Sequence, residues 1–432
     1  MLATLVRDPL GVHIKLQARY GTAVRIPVGR HRSSYLFSTP RHAEHVLAVN
    51  QDNYVKSPSY RPLRALIGDG LLTSEGDRWR GHRRLIQPVF SRRDVLRFGP
   101  FMCDAAQRLL KSWDEKPAAT VLDVRRQMSG LTLDIVVGAL FGADLTADSD
   151  EMARATEAGQ KVALASALLP LPWGPRTTSA VKALARRIGH TGEGVEGMVA
   201  RLITARRAGG APEHSQDLLD ILLAGGLSDA DIGAEVGTFM LAGHETTANT
   251  LSWSLALLSA FPATRARLEE EVDSVLGGRP PSAADVAALP YTMAVVHEAL
   301  RLYPPAWTVE RSAIAGDVVE GSPVPARSQV TIGTYLVHRD PEYWSDPSGF
   351  DPGRFLGDAA ADRPRYAFIP FGGGRRACVG QSFAELEAVL VLASIAQRYR
   401  LELTASGLPV PVAGVTLRPG RNLSMRLIAR PG

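Results

Sequence analysis

"FGGGRRACVG", residues 371–380, carries one of only two cysteines in a chain of 432 residues. Glycines and arginines surround it, and no second cysteine lies near. Three readings compete for Cys378. It is a buried, inert core residue, a nucleophile, or a thiolate ligand to a metal or haem iron. A nucleophile needs an adjacent base, and no neighbouring histidine supplies one. The surroundings favour a ligand. Gly372 and Gly374 permit positive φ and close backbone approach. A helix predicted over about 379–398 places free N–H groups and a dipole end beside the sulfur, which favours the thiolate. Arg376 adds a charge able to pair with an acidic group of a cofactor. A lone cysteine cannot hold structural zinc or an iron–sulfur cluster, whereas haem iron needs one protein ligand.

The rest of the composition narrows the class. Hydrophobic residues make up 45% and charged residues 22%, an ordinary globular balance with enough apolar mass for an internal cavity. A formal charge of +5 spread over this length is too diffuse for nucleic acid. Two cysteines make no disulfide framework, so a reducing cytoplasm is expected. No run reaches the ~18 apolar residues of a membrane span. The start, "MLATLVRDPLG", meets Arg7 and Asp8 too early for a signal peptide, and a trimmed N-terminus is expected.

Working outward, "AVRIPVGRHRSSYLFST" (23–39) reads as a hairpin about Gly29. Helical patterns dominate about 40–303. The longest starts at a capping-box-like Ser228 and Asp231, repeats Ile232, Val236, Phe239 and Met240, and stops before Pro262. Some 30 residues at a rise of ~1.5 Å make a rod of about 45–50 Å, whose middle must be buried. About 305–338 and 399–430 are β-prone, as are 20–40, and 340–377 is a long irregular stretch of the kind that carries function. Without repeats or linkers, residues 1–432 read as a single domain, mainly α with small β-sheets (α+β).

"FGGGRRACVG" resembles the haem-binding signature of the cytochrome P450 family, Phe-Gly-x-Gly-x-Arg-x-Cys-x-Gly, at Phe371, Gly372, Gly374, Arg376, Cys378 and Gly380. Chance yields this in fewer than roughly one in a hundred thousand such chains. The pattern continues at Ala384 and Glu387. "EALR" places Glu298 and Arg301 on one helix face, and with Arg354 of "FDPGRF" resembles the family's buried structural network. Gly353 stands where the family often has Glu, which leaves that loop less supported. "AGHETT" (242–247) is a poor helix former in mid-helix, where a threonine hydroxyl can bond back to a carbonyl and open a polar notch. It resembles the oxygen-activation groove at Ala242, Gly243, Glu245, Thr246 and Thr247.

The resemblance implies the cytochrome P450 fold, with haem b between the long central helix and the cysteine-loop helix, and O2 as co-substrate. It implies Cys378 as iron ligand, Thr246 as hydrogen-bond donor to dioxygen and Glu245 as proton relay. Trp79 and Arg83 of "WRGHRR", with His82, Arg311 and Arg376, would hold the propionates, and Phe371, Gly372, Gly380, Ala242 and Ala384 would contact the cofactor. Pocket walls would come from Phe239, Ala242, His244, Ala306, Trp307, Val309 and Val415, with the "LLPLPW" region; such a cavity suits a terpene, polyketide, fatty acid or steroid. Cys103 reads as core. The activity implied is a monooxygenase fed by a ferredoxin and its NAD(P)H-dependent reductase, working as a cytoplasmic monomer, with Arg80, Arg84 and Arg375 as a basic docking face. A haem-thiolate isomerase or dehydratase, a peroxide-driven enzyme and a non-enzymatic haem sensor are the alternatives. The Glu245–Thr246 pair argues against the first three, and the lack of a signalling domain argues against the sensor.

Overall fold

The structure is a computed structural model describing residues 8–28, 32–142, 158–159, 162, 174–189, 194–209, 217–358, 362–420 and 422–430. The Gly29 turn and the "LLPLPW" segment lie outside the described residues. The fold is mainly helical with several small sheets. Seven helices matter most, labelled in chain order: α1 Gly76–Ile86, α2 Gly99–Asp114, α3 Val124–Phe141, α4 Asp229–Ala260, α5 Pro262–Leu276, α6 Pro290–Leu302 and α7 Gln381–Arg398. The strands needed are β1 Ala23–Val28, β2 Arg32–Phe37, β3 Tyr54–Lys56, β4 Val121–Asp123, β5 Val309–Ala313, β6 Gln329–Ile332, β7 Tyr399–Leu403 and β8 Ser424–Ala429. No helix among the described residues is long and apolar enough to cross a membrane.

Two compact units emerge. The first comprises residues 1–60, 297–378 and 411–418; the second comprises 61–296, 379–410 and 419–432. The first is built on a five-stranded sheet in the order β1-β2-β6-β5-β3. β2 and β6 are parallel, and the other pairs antiparallel. Tyr35, Phe37, Val330, Ile332 and Ile369 form its core with Val46 and Leu47. Their β-branched and aromatic side chains fit a half-buried pleat. The register sets Lys56 opposite Arg311.

The second unit is organised around α4, which runs for 32 residues. Ser228 caps it by accepting the Asp231 N–H at 3.2 Å, a contact worth about 1 kcal/mol. The helix ends at Ala260, and Pro262, which cannot continue it, opens α5. α4 packs along α3. Gly243 permits the close approach, since a Cβ there would come within 2.9 Å of Val136 Cγ2. The Thr132 hydroxyl donates to the His244 carbonyl at 2.8 Å across the same seam. α7 packs on α2, and the antiparallel sheet β4-β8-β7 lies in this unit, with Met425 pairing both Leu122 and Leu403.

Candidate active site

In the first unit the cysteine loop is a tight, pinned turn. The Ile369 carbonyl accepts the Gly372 N–H at 3.0 Å, and the Phe371 carbonyl accepts the Cys378 N–H at 2.8 Å. Gly372 and Gly374 adopt φ of +72° and +63°. At Gly374 a Cβ would meet the Leu47 carbonyl oxygen at 1.7 Å, so no side chain fits. Cys378 is exposed, three residues before α7 begins at Gln381. Gly380 caps α7, and its carbonyl accepts the Ala384 N–H at 2.9 Å.

A cationic cluster accompanies the loop. Arg311 on β5 is buried, and its Nη1 donates to the Glu310 carbonyl at 2.9 Å. No carboxylate among the described residues forms an ion pair with it. Tyr60 is close to Arg311 and Arg376; burial pushes its hydroxyl pKa up, while hydrogen bonding to Arg311 and both guanidinium charges pull it down. Lys56 Nζ lies 4.4 Å from the Tyr60 ring centre. A buried guanidinium without a carboxylate is costly unless an anion reaches it. An exposed thiol beside anion-seeking donors is therefore a set that fits an iron porphyrin with its propionates.

Behind the loop, the Glu298 network is complete. Arg301 binds Glu298 through Nε to Oε2 at 2.6 Å and Nη2 to Oε1 at 2.7 Å. It also donates to the carbonyls of His338, Pro347 and Gly349 at 3.1, 2.7 and 2.8 Å. Arg354 Nε stands 3.4 Å from Glu298 Oε1, an ion pair without hydrogen-bond geometry. The support expected to be missing at Gly353 comes from Asp351. Its carboxylate accepts the Gly353 N–H at 2.9 Å, and its own N–H donates to Glu298 at 3.0 Å.

In the second unit, α4 carries Glu245 and Thr246 without interruption of the helix. The Thr246 hydroxyl donates to the Ala242 carbonyl at 2.7 Å, Thr247 to Gly243 at 3.2 Å and Thr250 to Thr246 at 2.9 Å. The poor helix formers thus produce a ladder of hydroxyl-to-carbonyl bonds, not a break. His244 is buried, and its Nδ1 donates to the Met240 carbonyl at 2.6 Å. Burial lowers its pKa, so the ring is neutral. Phe239 stacks on Phe90 with ring centres 5.1 Å apart. On α1, Trp79 and His82 are buried, and Arg83 Nε donates to Gln87 at 2.9 Å.

The remaining residues expected to wall a pocket fall in the first unit. Trp307 is buried with Leu10 and Leu417, and its Nε1 donates to the Gly414 carbonyl at 3.1 Å. Val309 packs against the sheet core, while Ala306 and Val415 are exposed. Of the arginines expected on a docking face, Arg80 pairs with Asp77 and Arg375 with Asp52, so their charges are locally offset. Cys103 is buried, and its thiol donates to the Pro281 carbonyl at 3.1 Å.

Four residues escaped sequence reasoning in whole or part. Glu235, on α4, accepts His82 Nδ1–H at 2.6 Å and the Leu71 N–H at 3.1 Å. The available signal was a carboxylate inside the stripe Ile232, Val236, Phe239. Glu387 is fully buried, and burial pushes its pKa well above the usual carboxylate range. The nearby Thr247 hydroxyl is committed to Gly243, leaving the carboxyl without a well-formed hydrogen bond. Tyr60 and His338 carried no signal, because only the fold gives them their neighbours.

The family model described as Cytochrome P450 matches residues 2–422. The chain is 37% identical over 397 residues to cytochrome P450 132 of Mycobacterium tuberculosis, covering 88% of this chain and 85% of that one. It is 33% identical over 421 residues to cyclooctat-9-en-7-ol 5-monooxygenase of Streptomyces melanosporofaciens, with 96% and 88% covered. It is 33% identical over 436 residues to pentalenene oxygenase of Streptomyces avermitilis, with 99% and 95% covered. The chain belongs to the cytochrome P450 family. It is an oxidoreductase, a monooxygenase that binds haem b and uses O2.

Proposed function

We propose that this monooxygenase inserts one oxygen atom into a C–H or C=C bond of an apolar, terpene-type molecule. Cys378 is the iron ligand, and electrons come from a ferredoxin and its NAD(P)H-dependent reductase. The Cys378 turn is the observation that carries the reading: two left-handed glycines and the Phe371 carbonyl fix the backbone while the sulfur stays exposed. The names of pentalenene oxygenase and cyclooctat-9-en-7-ol 5-monooxygenase support a terpene-type substrate, as do the apolar Phe239, Ala242, Ala306, Trp307, Val309 and Val415. His244, with Nδ1 committed to Met240, serves packing on α4 more than recognition.

When bound through a thiolate, haem supplies the reductive activation of dioxygen. The side chains do the rest. Arg311 and Arg376 in the first unit, and Trp79, Arg83 and His82 in the second, would each offer donors to a propionate. The Thr246 hydroxyl, which rests on the Ala242 carbonyl, would donate to the oxygen substrate, and Glu245 would restore its proton from solvent. Phe371, Gly372, Gly380 and Ala384 shape the floor of the site. Apolar walls exclude water and hold the target carbon in reach. The same reading takes the chain as one catalytic domain acting as a cytoplasmic monomer.

The test has two arms. The purified protein, reduced under carbon monoxide, should show the thiolate-type Soret band, and C378A should lose it; retention in C378A would falsify the ligand assignment. Terpene hydrocarbons and alcohols should shift the Soret band of the oxidised protein and, with ferredoxin, reductase and NADPH, yield oxygenated products. Shifts and products obtained only from fatty acids or steroids would overturn the substrate class.

A further inference from the structure

A line of hydrogen bonds joins Arg301 to Cys378 within the first unit, and His338 is its side-chain link. His338 is fully buried. Its Nδ1 faces the Arg301 carbonyl at 3.2 Å, and its Nε2 receives the Ile369 N–H at 2.8 Å. The Ile369 carbonyl then accepts from Gly372 at 3.0 Å, and the Phe371 carbonyl accepts from Cys378 at 2.8 Å. Because the Ile369 N–H can only donate and the Arg301 carbonyl can only accept, the proton belongs on Nδ1 and the ring is neutral. Burial, with the nearby Arg301 and Arg339 charges, lowers its pKa to about 3, in agreement with that tautomer. Arg301 Nη1 donates back to the His338 carbonyl at 3.1 Å, and Phe368 lies 5.3 Å from the ring. The imidazole is therefore held from both sides, and it in turn holds the first residue of the cysteine turn.

We propose that His338 is a positioning residue for the thiolate ligand: by anchoring Ile369 N–H to the Glu298–Arg301 network, it sets where the Cys378 sulfur stands. The inference rests on the reading of Cys378 as iron ligand. Removing supports behind a metal ligand commonly costs 10–100-fold in affinity.

The experiment uses the haem-loaded chain and three variants. H338N keeps a donor near the Nδ1 position and loses the acceptor for Ile369. H338Q reaches the Nε2 position with an acceptor oxygen. H338A loses both. Each is read by the rate of haem transfer to an excess of a haem-free globin, the fraction of thiolate-type band under carbon monoxide, and thermal unfolding. H338N and H338A should lose haem about tenfold faster or more, with part of the thiolate-type band gone, and H338Q should stay within about threefold of the parent. H338N behaving like the parent, or H338Q no better than H338A, overturns the proposal. If no variant folds, amide exchange of the parent segment 366–372 decides. Protection of Ile369 upholds the link, and exchange as fast as in exposed loops overturns it. A parent protein without the thiolate-type band would sink the Cys378 reading itself, whereas a normal parent with unaffected variants sinks only the role of His338.

Discussion

Glu235 and His82 meet at 2.6 Å inside the second unit, both buried, and Glu235 also accepts the Leu71 N–H at 3.1 Å. One carboxylate thus ties α4 to α1 and to the turn around Leu71. Gly70 makes the contact possible, since a Cβ there would come within 2.6 Å of the Ala234 carbonyl. The pair raises the His82 pKa above its ordinary 6.5, through the hydrogen bond to Glu235 first and against desolvation.

The sign follows from linkage. A histidine whose folded pKa is raised stabilises the fold fully below its unfolded value and loses that contribution as pH rises through the folded value. E235Q should therefore lower the melting temperature at pH 6 and flatten the fall seen in the parent on the alkaline side. Losing one partner of a buried pair costs about 3–5 kcal/mol, and the isosteric amide should cost somewhat less. Calorimetry across pH 5.5 to 9 measures it; parallel curves for parent and variant would remove the pair from the stability account.

Glu387 carries the same sign of slope from a different cause. Its pKa is raised in the fold by burial, so the folded state retains a proton that the unfolded chain releases above about 4.5. Stability falls as pH climbs past that value toward the higher folded one. E387Q should abolish this slope, leaving the variant at least as stable as the parent at pH 7.5 and no better at pH 4. Urea unfolding at the two pH values reads the difference.

Gly372 and Gly374 should respond unequally to alanine. At Gly372 nothing lies within 4 Å of a Cβ, so G372A meets only the left-handed backbone penalty, about 1–2 kcal/mol. At Gly374 the same penalty adds to a collision with the Leu47 carbonyl. G374A should lose most of its haem on purification while G372A keeps it, as the ratio of Soret to protein absorbance will show.

If Thr246 serves proton delivery as proposed, T246A should lower product formation about a hundredfold and lower NADPH consumption less, because electron entry does not pass through its hydroxyl. T246S, which keeps the hydroxyl, should stay near the parent. Equal yields of product per NADPH in T246A and parent would remove Thr246 from proton delivery.

Much of the fold was legible because its signals are local. Ser228, the apolar repeat and Pro262 mark the two ends of α4 within the chain itself. The cysteine turn was legible because few residues tolerate φ of +63° to +72°, so its glycines announce themselves. Glu298, Arg301 and Arg354 were readable only by resemblance, since the groups that complete their network, Arg354, the Asp351 N–H and the carbonyls of His338, Pro347 and Gly349, come from segments distant in sequence. Asp351 in place of the missing Glu, His338 beneath the turn and Glu235 beneath His82 were not legible. Each owes its role to a neighbour between 31 and 164 residues away, which no periodicity or spacing encodes.

Burial pushes the Cys103 thiol up to about 11, and its sulfur is engaged with Pro281. At neutral pH, then, the polypeptide offers alkylating reagents a single addressable sulfur, the one at 378. With Cys378 as the proposed iron ligand, counting maleimide adducts per chain would measure how much of a preparation lacks its prosthetic group, with no need for colour or turnover.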